Sequence, residues 1–255
     1  LYGAAGHRWT LTERGAADVA RSADRLTIGR SSLHWDGVAL QAEIDEITSP
    51  WPTRLQGRLR LIPQTLIGNG HDIDREGAHR WYPIAAQARI EVEFTHPQLR
   101  WQGHAYFDAN QGLRPLEDDF RSWNWSRAAL ADHARVYYDT EWRGGGGTSL
   151  ALRFDASGTH ACDPPPQRML PRTLWGIERM TRCDATAEAS VKETLENGPF
   201  YARSLVDTTV DGHRTLAFHE SVSLERFASR WVQTLLPVRL PRRPLRRRDQ
   251  TVPLR

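Results

Sequence analysis

The sequence predicts an all-β protein of the sandwich or barrel type. Short apolar segments follow one another closely, and several of them alternate between apolar and polar residues. Alternation with a period of two is typical of strands that bury one face, and many short strands with frequent turns are typical of sandwiches and barrels. Fifteen prolines and nineteen glycines are scattered along the chain, and only two segments show a strong helical pattern.

The first half of the chain contains the clearest strand patterns. In the segment 88–94, Ile90, Val92 and Phe94 alternate with charged residues, so one face of the strand is apolar. The dipeptide Asp36-Gly37 separates two such segments, which indicates a tight hairpin. The candidate strands of this half are 26–28, 33–35, 39–44, 55–62, 88–94 and 100–107.

A second hairpin is predicted where the segments 134–142 and 149–154 flank the four glycines at 144–147. These glycines are interpreted as a turn, because no GxxxxGK[ST] motif surrounds them. The two helical patterns cover 12–21 and 222–235. In the second, Leu224, Phe227, Trp231 and Leu235 form an apolar stripe interpreted as core packing, and Ser223 is placed to cap the helix.

The chain is long enough for one large domain or two small ones. A boundary is predicted near 113–119, where Gly112, Pro115 and three acids interrupt the strands. This gives domains at 1–118 and 119–242, followed by a basic tail at 243–255 that is expected to be disordered.

Composition and charge exclude several protein classes. Hydrophobic residues make up 39% of the chain and charged residues 25%, which excludes a mainly disordered protein. The apolar runs are too short for a transmembrane helix, and no signal peptide is visible. The chain begins at Leu1 rather than Met, so a leading segment is expected ahead of it. Residues 239–255 hold seven arginines and one acid, which leaves the rest of the chain mildly acidic.

The two cysteines, Cys162 and Cys183, are too few for a disulfide scaffold, and no Cys/His cluster has the spacing of a zinc site. No metal site is therefore predicted from this pattern. Free thiols in a cytosolic protein are the favoured interpretation, and one disulfide in an exported protein is the alternative.

Three segments, 77–85, 101–112 and 120–127, combine aromatic, ionisable and small residues more densely than a surface strand requires. If 79–81 is extended, His79 and Trp81 point to one face; if 104–108 is extended, Tyr106 and Asp108 share a face with His104. An acid, a phenol, an imidazole and an indole can then line one cavity. Taken alone, each residue is also explained by an ordinary role in a turn, a strand or the core.

These segments, in this order, resemble the bacterial carotenoid 1,2-hydratases, also called hydroxyneurosporene synthases. The sequences Asp-Ala-Asn-Gln-Gly at 108–112 and Trp-Asn-Trp-Ser-Arg at 123–127 are the most distinctive. The resemblance covers nearly the whole chain, from Leu1 to about Arg243, and its further matching segments are 9–15, 198–204, 226–233 and 236–242.

The resemblance implies two lipocalin-like β domains packed together and a cofactor-independent hydro-lyase. Such an enzyme adds water across the terminal double bond of an acyclic carotenoid such as neurosporene or lycopene. The important His, Trp, Tyr and Asp of the family correspond to His79, Trp81, Tyr106 and Asp108. Fungal relatives of similar architecture catalyse pericyclic reactions, so the fold by itself does not determine the reaction.

Acid chemistry is expected for this reaction. Asp108 is the hypothetical proton donor, because an apolar pocket favours the neutral form of a carboxylic acid. Trp81 and Tyr106 are expected to stabilise the tertiary cation through their ring faces. Three roles stay open for His79: positioning the attacking water, accepting its proton, or orienting Asp108.

Two alternatives remain at this stage: a lipocalin-like carrier of an apolar ligand, and a cofactor-free cyclase or isomerase. Carotenes dissolve in membranes, so a cytoplasmic protein peripheral to the inner or photosynthetic membrane is expected. The arginines at 242–248 are a candidate contact with an anionic membrane surface, and a solvated terminus explains them equally. No nucleic-acid partner is predicted, because no binding motif is recognisable and the body is acidic.

Overall fold

The computed structural model describes residues 1–3, 7–12, 14–49 and 51–239. Strands account for 58% of the chain and helices for 7%, and the strand pairs whose register is resolved are antiparallel. The predicted all-β class with few short helices is therefore confirmed.

An eight-stranded sheet is formed by the first half of the chain. Its order is β1-β2-β3-β4-β5-β7-β6, with β8 paired to β7. The two longest strands of the chain, β7 and β8, belong to it. The strands are β1 (Val19–Arg21), β2 (Arg25–Ile28), β3 (Ser31–Trp35), β4 (Leu40–Ile47), β5 (Arg54–Pro63), β6 (His71–Asp72), β7 (His79–His96) and β8 (Gln98–Gly112).

A seven-stranded sheet follows, in the order β12-β11-β10-β9-β17-β16-β15, together with a separate hairpin of β13 and β14. Its central strand, β9, carries the Trp-Asn-Trp-Ser-Arg segment. The strands are β9 (Phe120–Ala129), β10 (Ala134–Trp142), β11 (Gly147–Asp155), β12 (Gly158–Ala161), β13 (Gln167–Leu170), β14 (Arg179–Arg182), β15 (Ser190–Asn197), β16 (Tyr201–Val210) and β17 (His213–Ser223).

Both predicted hairpins are present. Asp36 and Gly37 connect β3 to β4, where Gly37 has a φ of 91° and Asp36 Oδ1 accepts hydrogen bonds from the backbone N–H groups of Val38 and Ala39. The glycine segment connects β10 to β11, and Gly145 and Gly146 adopt positive φ angles there. The interpretation of these glycines as a turn is therefore confirmed.

The helix predicted at 12–21 is wrong. The described part of that segment contains a short 3-10 helix (Ala16–Asp18) followed at once by β1. None of these residues is buried, so no apolar face stabilises a longer helix there. A further short helix, α1 (Leu116–Asp119), lies in the segment predicted as a boundary.

The helix predicted at 222–235 is present but interrupted, as α2 (Leu224–Phe227) and α3 (Arg230–Arg239). The predicted cap is confirmed, because the Ser223 side chain accepts a hydrogen bond from Arg226 N. The apolar stripe packs only in part: Leu224 is buried, whereas Trp231 and Leu235 are exposed and Val232 takes the buried position.

The described residues divide into two compact units. One comprises the described residues within 1–62, 89–103 and 234–255, and its core is formed by Leu55, Val92 and Phe94. The other comprises residues 63–88 and 104–233, and its larger core includes Trp81, Phe120 and Trp125. All the residues predicted to act in catalysis belong to this second unit.

The predicted boundary between residues 118 and 119 lies within the second unit. The division of the chain into separately folding domains stays a prediction. The basic tail at 243–255 lies outside the residues that the structure describes.

Candidate active site

The carboxyl group of Asp108 accepts two hydrogen bonds at the same oxygen. Trp81 Nε1 donates to Oδ2 over 2.8 Å, and Tyr106 Oη donates to Oδ2 over 2.9 Å. No third hydrogen bond to this carboxyl comes from the part of the chain that the structure describes. Because both donors use Oδ2, a proton bound to Asp108 belongs on Oδ1.

Strand alternation places these three side chains together. On β7, His79 and Trp81 are buried and Arg80 between them is exposed, as expected for an extended segment with one apolar face. On β8, Tyr106 and Asp108 are two residues apart and therefore point to the same side. Burial raises the pKa of the Tyr106 phenol well above its ordinary value, and the nearby Asp108 charge raises it further. Tyr106 thus remains a hydrogen-bond donor.

Asp108 and Tyr106 line a cavity of about 420 Å³. His104, from the same face of β8, lines it as well, which agrees with the expected parity. The remainder of the lining comes from two further residues of β8 and from the seven-stranded sheet. These residues are Ala105, Asn110, Trp123, Trp125, Arg127, Tyr138, Arg203, Phe218 and Glu220.

Aromatic rings form much of the cavity wall next to Asp108. The ring centroids of Tyr106 and Trp125 are 5.0 Å apart, and Tyr138 packs edge-on against Trp81 at 5.5 Å and against Trp123 at 6.2 Å. Tyr138 is fully buried, and this burial raises the pKa of its phenol. The carboxyl group of Asp108 therefore faces a wall of packed rings whose phenols remain neutral.

Arg127 brings a buried positive charge to the same wall. Its Nε donates to the Ala86 carbonyl over 3.0 Å, and its guanidinium lies 5.6 Å from the centre of the Tyr106 ring. Burial lowers the pKa of this guanidinium from its ordinary value. The backbone carbonyl and the ring face fix the orientation of the side chain.

His79 forms a separate hydrogen-bonded cluster. Its Nε2 lies 2.7 Å from Asp119 Oδ2, and the same oxygen accepts a hydrogen bond from Arg114 Nε over 2.6 Å. The bond from Arg114, opposed in part by burial and assisted by His79, lowers the pKa of Asp119. The other ring nitrogen, Nδ1, is buried without a hydrogen-bond partner, and a Cβ atom at Gly112 would lie only 2.6 Å from it.

One group of side chains has the composition of a metal site. One potential ligand atom from each of Asp74, His79 and Asp119 lies within 4.8 Å of the others. However, Arg114 already pairs with Asp119, and a cation beside this guanidinium would be repelled. The positions of His79 and Asp119 are therefore better explained by their hydrogen bonds with each other and with Arg114.

The family described as carotenoid hydratase CrtC matches residues 1–249. The chain belongs to the carotenoid hydratase family.

Curated relatives in this family are similar over most of the chain. Proteins named acyclic carotenoid 1,2-hydratase are 50% identical in Thiocapsa roseopersicina and 45% identical in Rubrivivax gelatinosus, each over 95% of this chain. The chain spans only 60% of the length of either relative. The protein of the same name from Cereibacter sphaeroides is 41% identical over 94% of this chain and 86% of its own length.

The fold is also found in a solved structure. An AttH protein from Nitrosomonas europaea matches with a TM-score of 0.57 and 14% identity, over 81% of this chain and 72% of that chain. Such a low identity shows a shared fold and nothing more. The predicted lipocalin-like all-β fold is confirmed by this likeness and by the strand content.

The structure brings together three of the four residues predicted from the sequence. Trp81 and Tyr106 both contact Asp108, but Trp81 lies beneath the cavity rather than in its lining. His79 shares a strand face with Trp81, yet it is neither among the lining residues nor hydrogen-bonded to Asp108. The roles of all four residues stay predictions.

Several residues of the site were not predicted individually. Asp119, the partner of His79, was expected only as part of a domain boundary. Tyr138 appeared as one residue of a strand, and its alternation with Val136 and Thr140 was the available signal. Glu220 carried no signal of its own, because its position in the cavity depends on the pairing of distant strands.

Proposed function

We propose that this carotenoid hydratase adds water across the terminal carbon–carbon double bond of an acyclic carotenoid, such as neurosporene or lycopene, without a cofactor. The product is a tertiary alcohol. The names of the curated relatives support the substrate class and the reaction. The observation that carries the mechanism is the pair of hydrogen bonds to Asp108 Oδ2, which leaves Oδ1 to hold and deliver a proton.

In the proposed first step, Asp108 protonates the alkene. The Oδ1–H bond breaks, a C–H bond forms at the less substituted carbon, and the electron pair of the double bond is consumed. The positive charge then resides on the tertiary carbon. As Asp108 becomes a carboxylate, the hydrogen bonds from Trp81 and Tyr106 strengthen, because hydrogen bonds to an ionised acceptor are stronger than neutral ones.

The aromatic wall supports the cationic intermediate in this mechanism. Trp123 and Trp125 present large ring systems to the cavity, with Tyr106 and Tyr138 beside them. A desolvated cation over an aromatic face gains up to about 2 kcal/mol, and this attraction appears only as the charge develops. Trp81 contributes through its N–H group, since its ring lies beneath the cavity.

His79 is proposed to act as a positioning residue. It lies two residues before Trp81 on β7, and its hydrogen bond to Asp119 fixes this end of the strand. The indole that donates to Asp108 is thereby held in place.

A peripheral contact with an anionic membrane is proposed for access to the substrate. Acyclic carotenoids dissolve in bilayers, and the arginines at 242–248 supply a positive charge that attracts anionic lipids. Those arginines lie outside the described residues. Within the described part of the chain, no helix has the length and apolar character needed to cross a bilayer.

The proposal is tested by incubating the purified protein with lycopene or neurosporene in ¹⁸O-labelled water. Mass analysis of the recovered carotenoid is expected to show one oxygen from the labelled water. An isomer without the label would contradict hydration and support a cofactor-free isomerase, whereas bound but unaltered carotenoid would support a carrier.

A further inference from the structure

The cavity contains a second carboxylate, which the proposed acid step does not use. Glu220 on β17 lines the same 420 Å³ space as Asp108. Addition of water to an alkene requires two proton transfers: one proton is delivered to carbon, which forms the cation, and one is removed from the water that attacks it. Asp108 accounts for the first of these transfers only.

The strand register explains the position of Glu220. Glu220 lies opposite Trp125 in the ladder between β17 and β9, and Trp125 lies opposite Tyr138 in the ladder between β9 and β10. On the other side, Glu220 lies opposite Arg203. Directly opposed residues in a sheet point to the same face. Arg203, Glu220, Trp125 and Tyr138 therefore form one row across four strands, along the cavity wall.

Arg203 holds the Glu220 carboxylate in place. Its Nε and one terminal nitrogen donate to Glu220 Oε1 over 3.0 and 2.7 Å. The guanidinium is itself fixed between aromatic rings, 5.5 Å from the centres of both Tyr201 and Phe218. These two bonds reach Oε1, and neither of them uses Oε2. The Glu220 side chain is 24% exposed.

The two carboxyl groups differ in their donors. Asp108 accepts from a neutral indole and a neutral phenol, whereas Glu220 accepts from a guanidinium. A positive donor stabilises a carboxylate more than neutral donors do. Both carboxyl groups lie close enough to Tyr138 to affect its phenol. Burial raises the pKa of Tyr138, and the charges of Asp108 and Glu220 raise it further.

We propose that Glu220 is the base that orients the attacking water and accepts its proton. This inference rests on the proposed hydration. The water oxygen forms the C–O bond to the tertiary carbon, one water O–H bond breaks, and its proton passes to Glu220 Oε2. Proton exchange with solvent then returns Glu220 to the carboxylate and Asp108 to the acid, so the sum is alkene plus water to alcohol.

Glu220→Gln separates this role from that of Asp108. In D₂O, an intact acid still deuterates the alkene, and the cation that is not captured loses a proton and returns as deuterium-labelled carotenoid. Glu220→Gln is therefore expected to lower hydration at least about 100-fold, as for loss of a general base, while deuterium uptake into recovered carotenoid stays within about threefold of wild type. Asp108→Asn is expected to abolish both.

Asp207→Asn is the matched control. Asp207 on β16 forms an ion pair with Arg214 on β17, and neither residue lines the cavity. Hydration and deuterium uptake are both expected to stay at the wild-type level. If circular dichroism shows that Glu220→Gln does not fold, Glu220→Asp provides the same test. Its side chain keeps the negative charge but is shorter by one methylene group, so the carboxylate lies farther from the water.

Two results would overturn the assignment of Glu220. One is a folded Glu220 variant that hydrates at nearly the wild-type rate. The other is a variant in which hydration and deuterium uptake fall together, which would indicate electrostatic support of the cation rather than base catalysis. Failure of the wild-type protein to hydrate or exchange would instead contradict the proposed function itself.

Discussion

His79 and Asp119 are joined by a hydrogen bond of 2.7 Å between Nε2 and Oδ2, across 40 residues of sequence. The bond connects the first residue of β7 to the last residue of α1. Since Asp119 also accepts from Arg114, it is expected to act as an acceptor toward His79 as well. The Nε2 atom then carries the proton in the neutral ring, and Nδ1 is left facing Gly112.

Asp119→Asn is expected to destabilise the protein. An asparagine presents only one oxygen to His79 and Arg114, and its NH₂ group faces one of these donors unfavourably. Loss of a hydrogen bond to a charged group lowers the free energy of unfolding by roughly 1.5–3 kcal/mol. Urea unfolding measures this change, with Asp118→Asn, an exposed neighbour, as the control. Equal stabilities of the two variants would contradict the structural role of Asp119.

Gly112→Ala is expected to displace the His79 ring. The new Cβ would lie 2.6 Å from His79 Nδ1, which is too close, and 3.3 Å from the Arg114 carbonyl oxygen, which is a tight contact. Overpacking of this kind lowers stability by about 1–3 kcal/mol. Thermal unfolding and hydratase assays are the measurements. Gly68→Ala, whose Cβ meets nothing within 4 Å, is the control, and an equally small effect of both variants would be incompatible with this packing.

The proposed role of Asp108 as the acid leads to one prediction for Asp108 itself and one for its hydrogen-bond donor Tyr106. Asp108→Asn is expected to abolish turnover in a folded protein, because an amide cannot deliver the proton. Tyr106→Phe keeps the ring but removes the hydroxyl donor, and a loss of about tenfold in kcat/KM is expected from one hydrogen bond. Near-normal hydration by Asp108→Asn would refute the acid role, and circular dichroism checks that both variants fold.

Truncation after Pro241 is expected to weaken binding to anionic vesicles. The removed segment carries most of the arginines of the basic tail, and each basic residue near an anionic surface contributes up to about 1 kcal/mol. Sedimentation with vesicles containing phosphatidylglycerol measures the change, and vesicles of phosphatidylcholine alone are the control. Unchanged sedimentation would exclude the tail as the membrane contact.

The sequence was sufficient for the parts of the site that depend on local alternation. The buried positions of His79 and Trp81 follow from a period of two within one strand, and so does the shared face of Tyr106 and Asp108. The hairpin at Gly37 was likewise predictable, because positive φ angles favour glycine.

Residues that enter the site through distant pairing were not predictable in this way. Glu220 reaches the cavity because β17 pairs with β9, almost 100 residues earlier in the chain, and no local pattern encodes that register. The helix predicted at 12–21 failed for a related reason. Its residues have good helix propensity, but a short segment without a buried face gains too little to form a helix.

The burial of His219 predicts how the stability of the folded protein changes at acidic pH. It is fully buried on β17, and its Nε2 lies 3.0 Å from the Met180 carbonyl oxygen. Burial lowers the pKa of His219 to about 4, from an ordinary value of 6.5. Between these two values the unfolded chain binds a proton that the folded protein does not. Folding stability therefore falls as the pH decreases from about 6.5 to about 4, and the contribution of His219 is complete above 6.5.

A shift of this size corresponds to roughly 3 kcal/mol. His219→Gln removes the titrating group and keeps a donor for the Met180 carbonyl, so the stability difference between wild type and variant is expected to shrink by about that amount from pH 7 to pH 4. Urea unfolding at several pH values measures it. His213→Gln, which replaces an exposed histidine of the same strand, is the control. A difference that does not change with pH would show that His219 is not held neutral by burial.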